Sequence, residues 1–279
     1  MEIVKQVLPI LLTLSLAGLV MRVGLDATVD DLLYLMRRPQ ELLKAMAAVN
    51  VIPPAAAALL CLALPIAPVV KAGIMLMAVS PTPPLVPSQE LKLGARKEYA
   101  YGIYVTMALL AIVVVPIAVS AAARLFGREI AIPFAAIAKT VLVGVLVPLA
   151  LGMVVRRAAP TFAARLAPIV YTISMALVVA AFLPIVTVIW PDMMRLIGDG
   201  TLAAMAAIVA ISLGAGRLLG GPGRLDRGAL AIASSVRHPG IAMMLANANF
   251  ADRRVTAAVL LFMLVSLVLS AIYKIWLKR

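Results

Sequence analysis

The sequence predicts an all-α polytopic membrane protein with about nine transmembrane helices. Of its 279 residues, 64% are hydrophobic and 13% are charged, whereas soluble domains carry about 45–50% apolar and about 25% charged residues. Continuous apolar runs recur along the chain, and several reach the about 20 residues that one helix needs to cross a bilayer. The alternating pattern of a transmembrane barrel does not occur in these runs. The expected surrounding of the chain is therefore a lipid bilayer.

Nine apolar segments are separated by turn signals. Proline, glycine or paired arginines mark several connectors, at residues 37–39, 65–68, 190–192 and 220–223. Each predicted segment is long enough to form a helix that spans the hydrocarbon core or most of it. The segments are 5–23, 40–63, 68–95, 98–123, 131–155, 165–189, 200–219, 227–249 and 254–276.

The basic residues are distributed unevenly between the two sides that nine spans would create. Cytoplasmic loops of membrane proteins carry an excess of Lys and Arg. The loops after spans 1, 3, 5 and 7, together with the C-terminus, hold most of the 25 Lys and Arg residues. This predicts an external N-terminus and a cytoplasmic C-terminus, and the short loops suit a bacterial inner membrane. The net charge of +13 is then an orientation signal, and we expect no nucleic-acid partner.

Other classes of chemistry find little support in the composition. One cysteine, Cys61, excludes a disulfide framework and a cysteine-based metal site. One histidine is too few for most metal sites, so we expect no bound metal and no cofactor. An intramembrane enzyme is disfavoured for the same reason. Asp30 and Asp31 are predicted to be first-turn acids of a short surface helix.

The third segment is interrupted by proline. Apolar residues 69–79 are followed by Ser-Pro-Thr-Pro-Pro-Leu-Val-Pro-Ser-Gln-Glu, from Ser80 to Glu90. Each proline removes a backbone donor and clashes with the preceding turn, so the helix must end near mid-membrane depth. The backbone groups freed there must line a cavity or be buried in protein. Ser88 and Gln89, just after the break, are therefore candidate binding residues.

The eighth segment is interrupted at Pro239 and Gly240, directly after Arg237 and His238. An unpaired charge at this depth costs at least about 2.5–3.5 kcal/mol, which makes Arg237 a site hypothesis. In one interpretation it is a fixed cation that replaces an ion's charge and binds a substrate carboxylate or sulfonate. In the other, the break lies nearer an interface and the arginine extends to it. His238 either relays a proton or caps the broken backbone.

The order of the segments indicates an inverted repeat. Spans 2–4 and spans 7–9 each place the interrupted helix in the middle, and the two units are offset by five spans, so equivalent helices run in opposite directions. Interrupted helices at corresponding positions of two halves indicate a transporter site at the midplane. The sequence therefore predicts one transmembrane transporter domain over residues 1–279.

A series of short motifs lies along the chain, at residues 21–25, 30–32, 37–39, 49–53, 80–96 and 231–250. Taken together in order and spacing, these motifs resemble the bile acid:sodium symporter family. The resemblance implies a core domain at about 40–123 and 200–276, with two broken helices that cross, and a panel domain at about 5–23 and 131–189. It also implies alternating-access transport of a small organic anion, such as a steroid conjugate, a keto acid or pantothenate.

The resemblance also implies which positions would hold sodium, and the sequence departs from the family there. The family's Ser-Asn pair falls at Ser88 and Gln89, and its Thr falls at Thr106. Its Glu and Gln fall at Ala233 and Arg237. Arginine offers donors only, which argues against sodium binding in the family manner. Proton coupling, uniport, an exchanger-type carrier of related fold, and a non-transporting structural or regulatory homologue stay open.

The candidate residues fall into two sets. Ser88, Gln89 and Thr106 either line a cavity or satisfy backbone groups. Glu90 either pairs with Arg237, carries a proton, or is a solvated helix end. The substrate-binding candidates are Arg237, His238, Ser88, Gln89 and Thr106, and the coupling candidates are Glu90 and His238.

Overall fold

The computed structural model describes residues 2–127 and 134–278. All regular structure within these residues is helical. The helices are α1 (Glu2–Asp26), α2 (Val29–Leu33), α3 (Pro39–Met46), α4 (Ile52–Ala63), α5 (Pro68–Val79), α6 (Val86–Lys92), α7 (Lys97–Leu125), α8 (Phe134–Val141), α9 (Val147–Ala158), α10 (Pro160–Arg195), α11 (Thr201–Leu219), α12 (Arg224–Ser235), α13 (Pro239–Asn249) and α14 (Arg254–Lys278). Two π-helical turns, Ala47–Val51 and Leu142–Leu146, join α3 to α4 and α8 to α9.

Within these described ranges, seven helical stretches are long and apolar enough to cross a membrane. In addition, α5 is a shorter apolar helix, and α1 covers the predicted segment 5–23. The all-α polytopic fold is confirmed. The number of spans stays a prediction, because the segment predicted at 131–155 begins among residues 128–133, outside the described part of the chain. The seven stretches are Pro39–Ala63, Lys97–Leu125, Ile137–Ala158, Pro160–Arg195, Thr201–Leu219, Arg224–Asn249 and Arg254–Lys278.

The short helix α2 has the local structure that its sequence predicts. The Thr28 hydroxyl accepts a hydrogen bond from the Asp31 amide, and the Asp31 carboxylate accepts one from the Thr28 amide. This reciprocal pair is a capping box, which satisfies two backbone donors at the start of the helix. Asp30 is exposed in the same turn. The prediction of first-turn acids on a surface helix is confirmed.

The prediction of a connector at residues 190–192 is wrong. The helix α10 continues through Pro191 and ends at Arg195. Met193 is fully buried, so the additional turn places an apolar side chain in the core. Asp192 and Arg195 form an ion pair one turn apart on the exposed side. The burial of Met193 offsets the backbone hydrogen bond that the proline removes.

The helix α1 packs against α9 and α10 through small residues. Gly24 on α1 lies against the backbone of α9 at Leu149 and Gly152, and a Cβ at either glycine would overlap the facing helix. Further along α1, Gly18 faces Ser174 of α10. Small residues allow such close approach between apolar helices, where dispersion and packing supply the attraction. These three helices therefore form one tightly packed group.

We expect Gly216→Ala to destabilise the protein and Gly214→Ala to be tolerated. On α11, a Cβ at Gly216 would overlap the backbone of Ala231 on α12, whereas a Cβ at Gly214 would meet nothing within 4 Å. Overpacking costs about 1–3 kcal/mol, while alanine in an open helical position stabilises by up to about 1 kcal/mol. Thermal unfolding in detergent measures both. Equal midpoints for the two variants would contradict the close approach of α11 and α12.

Candidate functional site

The two interrupted helices meet at their breaks. The His238 amide donates a 2.8 Å hydrogen bond to the Pro81 carbonyl. The Thr82 hydroxyl donates a 3.2 Å hydrogen bond to the Ala233 carbonyl. These contacts join the segment between α5 and α6 to the end of α12 and the start of α13. The two broken helices therefore meet, as expected for helices whose breaks share one site, and we call this region the crossing.

Arg237 binds backbone carbonyls at the crossing. Its guanidinium donates to the Ser80 carbonyl at 3.2 Å and to the Val49 carbonyl at 2.5 Å. Ser80 is the residue at which α5 ends. In a regular helix the Val49 carbonyl would accept a hydrogen bond from the amide four residues later (α-helix) or five residues later (π-helix). Those positions are Pro53 and Pro54, which have no N–H. The Arg237 guanidinium therefore replaces two backbone N–H donors: the one that proline removes at the Val49 carbonyl and the one that the helix break removes at the Ser80 carbonyl.

The Arg237 side chain is 3% exposed and has no carboxylate within ion-pair distance in the part of the chain that the structure describes. Its charge is stabilised by carbonyl dipoles instead. The interpretation in which Arg237 extends to an interface is wrong, because the side chain is buried at the crossing. The guanidinium occupies a place where neutral oxygens converge, which is the kind of place that also suits a small metal cation.

The two polar residues after the first break are bound to basic side chains. Arg22 of α1 donates a 2.6 Å hydrogen bond to the Ser88 hydroxyl. Lys274 of α14 donates a 2.8 Å hydrogen bond to the Gln89 side-chain oxygen. At the positions that would bind sodium in the family, the side-chain oxygens of Ser88 and Gln89 therefore bind the positively charged side chains of Arg22 and Lys274. The structure places Ser88 and Gln89 in a polar group of their own, without a hydrogen bond to Arg237 or His238 among the described residues.

Glu90 follows these residues on α6 and is 0% exposed. Neither carboxyl oxygen has a hydrogen-bond partner among the described residues. The interpretation of Glu90 as a solvated helix end is wrong, because the packed turn of α6 buries it. The expected pairing with Arg237 is also wrong, since Arg237 donates to carbonyls. Of the three interpretations, only that of Glu90 as a proton carrier is consistent with its burial.

Two buried hydroxyls on α7 are also unpaired among the described residues. Thr106, a predicted site residue, is 2% exposed and its hydroxyl has no partner. Tyr104, one half-turn earlier, is 1% exposed and its hydroxyl likewise has none. Buried polar atoms without partners are uncommon in folded proteins and call for a functional or solvent explanation.

His238 lines two cavities. The first cavity, of about 400 Å³, is lined by apolar side chains of α1, α10 and α14, with Arg237, His238 and Gly240 at the crossing. His238 also caps α13, because its Nδ1 accepts a hydrogen bond from the Ile241 amide at 3.4 Å. The capping interpretation of His238 is therefore confirmed.

The second cavity, of about 480 Å³, is also lined by His238. It is bounded by α1, α7 and the helical stretch at 139–145, and its walls are mostly apolar. Thr13, Thr82, Tyr104, Lys139 and His238 contribute its polar side chains. The Tyr104 side chain thus lines this cavity, whereas its hydroxyl oxygen is itself buried.

Polar contacts between α1 or α10 and the helices of the crossing concentrate at the end of the bundle where α1 finishes. Lys97 and Tyr101 of α7 bind the Asp26 carboxylate at 2.7 Å and 2.5 Å, and Lys92 of α6 binds the hydroxyl of Tyr171 on α10 at 3.1 Å. We call these contacts, together with the one from Arg22 to Ser88, the basic-end latch. Burial opposes ionisation of Asp26, but its hydrogen bonds from Lys97 and Tyr101 outweigh burial and lower its pKa.

Three functional candidates were not identified from the sequence. Arg22 and Lys274 lie far along the chain from the residues that they bind, and Tyr104 is indistinguishable from the other members of its apolar run. One signal was available, because a lysine inside an apolar segment, as at 274, is itself a site hypothesis.

An all-α membrane bundle with two broken helices that meet is typical of secondary transporters. The family model described as the sodium bile acid symporter family matches residues 12–191, more than half of the chain. The chain belongs to this family, and it is an integral membrane protein of a family of secondary transporters. A search of curated proteins returned no match.

Proposed function

We propose that this protein is a secondary transporter that moves a small organic anion by alternating access, without sodium bound in the family manner. The observation that carries the proposal is the position of Arg237. Its guanidinium binds the Ser80 and Val49 carbonyls at the crossing, so the chain itself supplies a cation there. A second cation beside it would meet electrostatic repulsion in a region of low dielectric constant.

The surroundings of His238 support an anionic substrate. The helix α13 begins at Pro239, and its first turn, at Gly240 and Ile241, lines the second cavity. The N-terminus of a helix carries a partial positive charge and favours an anion. Lys139 adds a full positive charge to the same cavity. The proposed anion site is therefore the region around His238 that both cavities share.

The cavities also support an organic body on that anion. Their volumes, about 400 and 480 Å³, are typical of sites for small ligands, about 300–1,000 Å³. The walls are mostly apolar and come from α1, α7, α10 and α14. An anion with an apolar skeleton would bury that skeleton here, whereas an inorganic anion would leave these walls without a partner.

Movement of one helix group against the other would provide the two access states. We propose that α1, α8, α9 and α10 form the panel and that the remaining long helices form the core. The glycine contacts that join α1 to α9 and α10 support the panel as a rigid unit. The proposed orientation, in a bacterial inner membrane with the N-terminus outside, places the basic-end latch on the cytoplasmic side.

Transport into proteoliposomes tests this function. Purified protein would be assayed for uptake and counterflow of labelled pyruvate, pantothenate and taurocholate, in sodium medium and in potassium medium. We expect saturable uptake of at least one probe that changes less than about fivefold between the media, since larger effects indicate coupling above about 1 kcal/mol. A larger sodium effect would overturn sodium independence. Failure of uptake and counterflow for every probe would overturn organic-anion transport.

A further inference from the structure

The carboxyl group of Glu90 has no role in the site described above, and its surroundings are unusual for an acid. It is 0% exposed, and both oxygens are without partners over the described ranges. We infer that Glu90 is a proton-binding site, and that its proton holds the basic end of the bundle closed. This inference rests on the proposed alternating-access function and names the ligand that regulates it.

Burial of Glu90 favours the neutral acid over the carboxylate. An ionised carboxylate without hydrogen-bond donors loses its hydration and gains nothing in return, a cost of several kcal/mol. A protonated carboxyl loses far less because it carries no net charge. The neighbouring backbone is already paired, since the Glu90 carbonyl accepts the Leu93 and Ala95 amides at 3.0 and 3.2 Å. We therefore expect Glu90 to carry a proton in the buried arrangement.

The basic groups at this end of α6 are engaged elsewhere. Arg22 donates to Ser88, Lys274 donates to Gln89, and Arg96 pairs with Asp226 at 2.7 Å. The Tyr99 hydroxyl accepts from the Gly221 amide. None of these groups forms an ion pair or a hydrogen bond with Glu90. The charged and titratable groups that α6 and the neighbouring elements bring to this end are Arg22, Asp26, Tyr34, Glu41, Lys92, Arg96, Lys97, Glu98, Tyr99, Tyr101, Asp226 and Lys274.

The helix α6 carries both Glu90 and two contacts of the basic-end latch. Ser88, which binds Arg22 of α1, and Lys92, which binds Tyr171 of α10, lie four residues apart on one face of α6. Glu90 lies between them in sequence but on the opposite face, where α6 packs against α7 and α12. When the latch opens, α6 loses both contacts and its packing against α7 and α12 loosens, so that water reaches Glu90. The O–H of Glu90 then transfers its proton to water and leaves a hydrated carboxylate. Return to the closed arrangement requires that the carboxylate take a proton from water again.

The linkage has a definite sign. Because the closed arrangement binds a proton that the open one releases, acid favours closure and alkali favours opening. One linked proton changes the ratio of open to closed molecules by up to about tenfold per pH unit. Glu90→Gln keeps the size of the side chain and stays neutral, so it is expected to remain closed at every pH. Glu98→Gln, an acid that is 34% exposed on α7, is the matched control.

Two measurements test the inference on the full chain, and neither needs the substrate. Spin labels at Ala158→Cys on α9 and Pro222→Cys before α12, in a Cys61→Ser background, report the distance across the basic end. We expect a longer distance to gain population as pH rises in the parent and in Glu98→Gln, but not in Glu90→Gln. Infrared spectra at neutral pH are expected to show a protonated carboxyl band, shifted in heavy water, that Glu90→Gln alone removes.

Each outcome decides a separate statement. A carboxyl band that persists in Glu90→Gln would overturn proton binding. A band that disappears, with distances that are independent of pH or equally dependent in Glu90→Gln, would overturn the link to closure. Failure of every anion in the transport assay, with both results as expected here, would overturn the proposed function and leave the proton site in place.

Discussion

Arg237→Ala is expected to unfold the crossing and abolish transport. The substitution leaves the Val49 and Ser80 carbonyls buried without donors, and each unsatisfied group costs about 1–3 kcal/mol. It also opens a cavity at the crossing, where α5, α12 and α13 end or begin. Thermal unfolding in detergent and counterflow in proteoliposomes measure the two losses. Arg254→Ala is the control, because Arg254 is 57% exposed and its ion pair within the described residues is with Asp252. Similar midpoints for the two variants would contradict the role of Arg237.

The same position offers a sharper test of what Arg237 replaces. If its guanidinium stands in for an ion, a variant with neutral oxygen ligands would admit sodium. The double variant Arg237→Gln with Ala233→Glu provides the residue types that the family resemblance implies. We expect sodium to raise the unfolding midpoint of this double variant relative to potassium, and to leave the parent unchanged, since a ligand stabilises the state that binds it. If sodium does not raise the midpoint of the double variant, the idea that Arg237 takes the place of a bound ion is contradicted.

The helix breaks could be predicted from the sequence because their causes are local. Prolines at 81, 83, 84 and 87, and at 239, remove donors from their own turns. The capping box at Thr28 is similarly local. A single proline was a weaker signal, as Pro191 shows, since packing of Met193 carries α10 past it. The residues of a single turn thus determine where a helix must end. Whether a helix continues past a single proline depends on the burial of its side chains in the folded protein.

The partners of the site residues could not be predicted, because they lie far apart along the chain. Arg237 binds the Val49 carbonyl, and Lys274 binds Gln89. The sequence offered two interpretations of Arg237, a fixed cation for a substrate carboxylate or sulfonate and an arginine that extends to an interface. The structure gives it backbone carbonyls that prolines on another helix release. The choice among the three interpretations of Glu90 could not be made from the sequence for the same reason, since its burial depends on how α6 packs against α7 and α12.

Asp26→Ala is expected to open the basic end of the bundle. The Asp26 carboxylate binds Lys97 and Tyr101 of α7, and Arg156 of α9 donates to its carbonyl. Tyr101 is fully buried, so its hydroxyl loses its acceptor. Hydrogen bonds to charged groups contribute about 1.5–3 kcal/mol, and a loss of about 2 kcal/mol confined to the closed state would shift the populations about 30-fold.

The distance between spin labels at 158 and 222 reports this shift, and Asp30→Ala is its matched control. Asp30 forms an ion pair of the same 2.7 Å length, with Arg37, but the pair is exposed and joins residues only seven positions apart. We expect a longer distance to dominate in Asp26→Ala and the parent distribution to persist in Asp30→Ala. Equal distributions in all three proteins would show that the Asp26 contacts do not hold the basic end closed.

The direction of the pKa shift of Asp26 determines how its contacts depend on pH. This dependence differs from the one expected for Glu90. Hydrogen bonds from Lys97 and Tyr101 hold the pKa of Asp26 below its ordinary value, which is about 3.9 in unfolded chains. Its stabilisation is therefore fully present above that value and is lost only as pH falls through the lower, folded-state pKa. Between neutral and alkaline pH the Asp26 carboxylate stays ionised. Opening on alkalinisation that persists in Asp30→Ala and disappears in Glu90→Gln therefore comes from the proton on Glu90, because both variants keep the same Asp26 contacts.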